Sequence, residues 1–89
     1  MVPAVTQVAS AAVTTTLLTA RTNRRGATIV NTDPNTLRVK FGPGAAANSF
    51  SYALQSGQTL EFPQPIYDGI VTGIWDADGA GVAAITEVY

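Results

Sequence analysis

The chain has 89 residues, room for one small domain, with 46% apolar and only 12% charged residues and a net charge of −1. It contains no Cys and no His, which excludes disulfides and removes the usual ligands of zinc, copper and haem. All five cations (Arg21, Arg24, Arg25, Arg38 and Lys40) fall within residues 21–40, opposed there by Asp33 alone, whereas residues 1–20 carry no charge and residues 41–89 carry five carboxylates.

The first stretch, "MVPAVTQVASAAVTTTLLTA", is rich in Ala, Val and Thr and lacks Gly. Residues 1–11 read either as a frayed first strand or as an N-terminal arm that adds to a neighbour, and residues 12–89 as a single β-sandwich domain. The branched side chains of Thr14-Thr15-Thr16 with Leu17-Leu18 favour extended backbone. No basic segment precedes an apolar one here, and Pro3, Thr6, Gln7 and Ser10 interrupt the apolar run. No stretch approaches the roughly 20 apolar residues that span a bilayer, so a soluble intracellular chain is expected, with no membrane partner.

Alternation with period two governs the middle of the chain. "LRVKF" sets Leu37, Val39 and Phe41 against Arg38 and Lys40, "SFSYALQ" sets Phe50, Tyr52 and Leu54 against Ser51, Ala53 and Gln55, and "TLEF" sets Leu60 and Phe62 against Thr59 and Glu61. These are patterns of half-buried antiparallel strands. "NTDPNT" reads as the turn of a hairpin. An odd loop length puts Ile29 on the Leu37 face and an even one puts Val30 there; both are apolar, so either register is open. "GIVTGIW" and "GVAAITEVY" are apolar on both faces and fit central strands or strands covered by another chain. With "FGPGAAAN", "QSGQ", "PQPIYDG" and "DADGAG" as turns, the expected fold is all-β, a small antiparallel β-sandwich or β-barrel of about six to eight short strands with an extended N-terminal segment.

Motifs that carry chemistry elsewhere lack their context here. "FGPGAAA" spells G-x-G-x-x-A, but a strand pattern rather than a helix comes after it, so no nucleotide fingerprint is expected. Asp76 and Asp78 in "DADGAG" are spaced for a Ca²⁺ loop that has no distal Glu; an Asp/Gly hairpin connection accounts for them better. General acid–base work would fall to Asp, Glu, Tyr or Lys, and none has a partner at a readable spacing, so neither an enzyme nor a cofactor is expected. The chain is acidic overall, and the one ring within the basic block, Phe41, faces inward, which disfavours nucleic acid. Trp75 reads as core or as an interface anchor, and Tyr89, terminal and amphipathic, as a contact residue. Trp75, Tyr67 and Tyr52 would form the platform of a carbohydrate- or host-surface-binding module. Arg24, Arg25, Arg38 and Lys40 are the candidate partner-binding cations, with Trp75 and Tyr89 as candidate anchors. Low surface charge on a small domain points to association, with its own copies or with a larger assembly.

From residue 17 onward the order of motifs is similar to that of small all-β virion proteins of tailed bacteriophages. The likeness rests on an Arg-containing segment leading into Ile29–Asn31 ("I-x-N"), the strand Leu37–Gly42, the turn Leu54–Gly57 ("L-x-x-G"), Gly69–Trp75 ("G-I-x-x-x-I-W") and the final Thr86-Glu87. It covers about four fifths of the chain. It implies a β-sandwich bound in many copies to a virion assembled in the host cytoplasm, decorating or cementing the head or sitting at the tail or neck. Its partners would be the major capsid protein or another virion protein and further copies of itself. The resemblance implies no catalytic or metal residue.

Overall fold

Apolar side chains at every second position decide which backbone stretches become strands and which face of each turns inward. A computed structural model describes residues 1–89, the whole chain, as eight strands and no helix. They are β1 (Pro3–Ala9), β2 (Thr15–Leu18), β3 (Gly26–Asn31), β4 (Leu37–Phe41), β5 (Tyr52–Leu54), β6 (Thr59–Glu61), β7 (Val71–Trp75) and β8 (Val82–Val88). The all-β expectation holds, and within the N-terminal segment Pro3–Ala9 form a strand paired with β8.

The chain doubles back on itself once. β4 pairs with β5, β3 with β6, β2 with β7 and β1 with β8, all antiparallel, so the eight strands form one long hairpin whose turn is residues 42–51. The hairpin then rolls up: β8 also pairs with β3, and β7 with β4. Two four-stranded sheets result, ordered β1-β8-β3-β6 and β2-β7-β4-β5, packed face to face. This is jelly-roll connectivity. The strands apolar on both faces, β7 and β8, occupy interior positions of their sheets, as their sequences require.

Rolling corrects two of the expected turns. Every link except β4–β5 crosses from one sheet to the other. The segment around Asp33-Pro34-Asn35 is therefore not a hairpin: β3 and β4 lie in different sheets, with Ile29 inward on one and Leu37 and Val39 inward on the other. "DADGAG" likewise carries the chain between sheets, from β7 to β8. Phe50 also departs from expectation. β5 begins only at Tyr52, and Phe50 lies exposed in the preceding loop with the Arg38 guanidinium 5.4 Å from its ring centre.

The core holds thirteen buried apolar residues, with Ile29, Leu37, Val39, Val71, Trp75 and Ile85 at its centre. A bulge in β2 lets two successive residues enter it. Thr16 pairs with Thr72 but Leu18 with Val71, so Leu17 and Leu18 both turn inward. Gly73 faces them from β7: a Cβ there would lie 2.7 Å from Leu17 Cδ1 and 2.9 Å from Leu37 Cδ1. The accessible surface, 4643 Å² for 9.2 kDa, is close to the roughly 4,900 Å² expected of a folded monomer this size, so the chain closes its core without a neighbour.

Candidate docking surface

The inner face of the β1-β8-β3-β6 sheet ends in buried polar residues, and these decide where the charged side chains go. At the end of the sandwich near the chain termini, Glu87 of β8 points inward and receives Arg21 Nε at 3.0 Å and Arg24 Nε at 2.7 Å. The Arg24 side chain is 0% exposed. Its other nitrogens donate to the carbonyls of Thr19, Tyr67 and Gly69 at 2.7 to 3.1 Å, joining the β2–β3 link, the β6–β7 link and β8. Arg24 is expected at a contact surface; the structure instead encloses its side chain and commits four of its five N–H donors to a buried carboxylate and three carbonyls.

At the opposite end Asn31 of β3 uses both faces of its amide. Its Oδ1 accepts from Trp75 Nε1 and the Asp33 N–H, and its Nδ2 donates to the carbonyls of Asn35 and Leu54. Trp75 is 1% exposed, so it is a core residue with a satisfied indole and cannot anchor a partner. Asp33, also buried, accepts from the N–H groups of Asn35 and Gly81 and from Asn35 Nδ2. Burial pushes the Asp33 carboxyl up, but these bonds, with the Ser10 hydroxyl, outweigh it and hold the carboxyl below its ordinary 3.8. Polar side chains of "VNTDPN", one of them bound to the Gly81 backbone N–H, thus lock the loops at one end of the roll.

The remaining candidates do not converge. Arg38 and Lys40 share the outer face of the β2-β7-β4-β5 sheet. There Arg38 is paired with Asp76, and Lys40 Nζ donates to Ser49 Oγ at 2.7 Å. Arg25 is exposed at the start of β3, and only its backbone N–H is engaged, with Val88 O. Tyr89 is half-buried under the Arg21 guanidinium, 3.7 Å from its ring centre, and its backbone is paired with Val2. The basic block is one stretch of sequence but two places in space. The expected ring platform does not form either, since Tyr52 and Tyr67 pack on Phe41 at 5.6 and 5.1 Å and Trp75 is inside. Asp76 and Asp78 hold no shared point: one takes Arg38, the other the Ala12 N–H. No group of three or more acidic side chains converges as a metal site would require.

Sequence reasoning missed the outer face of the β1-β8-β3-β6 sheet. Its outward positions are Val5, Gln7 and Ala9 on β1, Val82, Ala84, Thr86 and Val88 on β8, and Thr28 and Val30 on β3. None is charged; Glu61, outward on the edge strand β6, is the first charge met. Val5 is 72% exposed. A shallow concavity of about 260 Å³ lies where this face meets Arg25, bounded by Thr28, Glu61, Gln64, Ile66 and Val88. The signal was present in "GVAAITEVY", whose outward positions are as uncharged as its inward ones, but only the sheet order shows that no other element covers them. No family model, no curated protein and no solved structure matches the chain.

Proposed function

We propose that this chain is a structural, non-enzymatic virion protein of a tailed bacteriophage that decorates or cements the capsid by lying against shell subunits. The observation that carries the reading is the outer face of β1, β8 and β3, uncharged as far as Glu61 on the edge strand β6, on a body whose core is already closed. The motif resemblance supplies the kind of partner. Four strands at about 4.8 Å spacing and six residues at about 3.4 Å rise give a face of roughly 400 Å². A stable interface covers about 800 Å² per partner, so one such face holds weakly, and attachment gains from spanning two shell subunits at once. Apolar contact supplies most of the free energy, and Arg25, free at the rim, orients the docking toward acidic surface. Jelly rolls serve in viral capsid and lectin domains, which agrees with this reading by analogy of fold alone.

Quantitative mass spectrometry of purified particles tests it. Decoration requires a copy number comparable with that of the shell subunit, whereas a tail or neck component would be present in a few copies. Absence from particles overturns both. Thr86→Asp, which charges the centre of the face without touching the core, should lower occupancy while leaving the folded chain intact. Full occupancy would remove this face from the docking account.

A further inference from the structure

The four edge strands of the two sheets are not alike. β5 and β6 have three residues each, and β2 has four with a bulge; short and bulged edges resist pairing with other chains. β1 has seven residues in unbroken register with β8 and no charge. The Val2–Tyr89 exchange and the Ser10 N–H to Gly81 O bond fix the alternation: Val2, Ala4, Thr6 and Val8 address β8, while Val5, Gln7 and Ala9 turn their N–H and C=O groups to the free side. Pro3 turns only a carbonyl there.

We propose that a second copy of this chain pairs on that edge, β1 against β1, antiparallel about a two-fold axis through Gln7. In that register Val5 of one copy faces Ala9 of the other and Gln7 faces Gln7, so every outward N–H of the strand finds a carbonyl, in roughly six hydrogen bonds. The partner is argued from the strand itself. Residues 1–20 carry no charge, so two copies meet without repulsion. Large faces small on the outer side, and the two Gln7 amides complement each other, each being donor and acceptor. On the inner side Thr6 of one copy meets Val8 of the other beside the open flank between β1 and β2. That flank is a slot of about 330 Å³ lined by Ala4, Thr6, Val8 and residues 16–19, with the Arg21–Glu87 pair at its end. The product is an eight-stranded sheet, β6-β3-β8-β1-β1-β8-β3-β6. Its continuous outer face is about 780 Å² by the same spacings, close to what a stable interface needs. The dimer thus supplies the area that one copy lacks, yet its existence does not depend on the virion reading.

Sedimentation equilibrium of the isolated chain tests it, with no particle involved, so failure here and failure of the virion role are separate results. The chain should sediment as a reversible dimer. Gln7→Lys and Gln7→Glu should each weaken self-association about fivefold, and an equimolar mixture of the two should associate about an order of magnitude more tightly than either alone. Gln7→Pro, which removes an outward N–H that no strand of the same copy uses, should weaken it as well. Thr28→Lys, two strands away on the same face, should leave it unchanged. Circular dichroism and Trp75 emission confirm that each variant is folded. A wild-type chain that stays monomeric at high concentration, a dimer indifferent to all three Gln7 variants, or charge variants that do not rescue each other would overturn the proposal.

Discussion

Replacing Arg24 with Met separates a clamp from a contact. The side chain is fully enclosed, and its guanidinium holds Glu87 at 2.7 Å and three carbonyls from two crossing links. Removing one member of a buried ion pair costs about 3–5 kcal/mol, because the remaining charge stays in the interior. Glu87 keeps Arg21, which is 36% exposed and well placed at 3.0 Å, so the loss belongs at the lower end, about 3 kcal/mol. In a domain of this size that lowers the melting temperature by about 12–24 °C. Trp75 is the sole Trp and lies in the core, so urea or thermal unfolding followed by its emission reads the change directly. Arg25→Met, at the next position but on an exposed side chain, should shift stability by less than about 0.5 kcal/mol. Combining Arg24→Met with Glu87→Leu should cost no more than Arg24→Met alone, a coupling of at least about 1 kcal/mol, since no charge is then stranded. A loss below about 1 kcal/mol for Arg24→Met, or single costs that simply add, would refute the clamp.

The packing sets two further outcomes. Gly73→Ala should destabilise by about 1–3 kcal/mol, because a Cβ meets Leu17 and Leu37 at under 3 Å in a filled core; Leu17→Ala in the same chain should recover part of that loss, and additive losses in unfolding experiments would reject the contact. Asp33 bears on acid stability. Its carboxyl is held below 3.8, so its contribution is fully present above the ordinary carboxylate value and is lost as pH falls through the depressed one. The stability gap between the wild type and Asp33→Asn should therefore be widest at neutral pH and shrink in acid; a gap that stays constant across urea titrations from neutral to strongly acidic pH would contradict this.

Period and composition made the strands legible but not their partners. "LRVKF" and "TLEF" fall where alternation put them, because the side chain at every second position needs one apolar wall, whichever strand supplies it, and "GVAAITEVY", apolar on both faces, is an interior strand. What alternation does not encode is whether the next strand lies beside the last or across the core from it. "NTDPNT" and "DADGAG" have the residues of tight hairpin turns, yet both carry the chain across. The reason lies in buried polar side chains: Asn31 and Asp33 point inward, bind Trp75, Leu54 and Gly81, and pull these links over the sandwich end. A sequence window shows Asn and Asp as turn formers; only the other strands show that their side chains are inside.

The same limit explains the candidate cations. Five positive charges within twenty residues read as a patch when the chain is a line. In a rolled hairpin, adjacent segments go to opposite sheets: Arg21, Arg24 and Arg25 stay at the end beside the termini, while Arg38 and Lys40 move to the outer face of the second sheet. Each carboxylate that neutralises them, Glu87 or Asp76, comes from the last two strands or the link between them, 38 to 66 positions away. The long separation is itself a product of the fold, since the roll brings the two arms of the hairpin together. Two of the five carboxylates of residues 41–89, Glu87 and Asp76, thus answer three of the five cations of the basic block. What is left uncharged is the face formed where the first strand joins the last, and an uncharged sheet with an open neutral edge is the surface through which this protein has most to gain from meeting another.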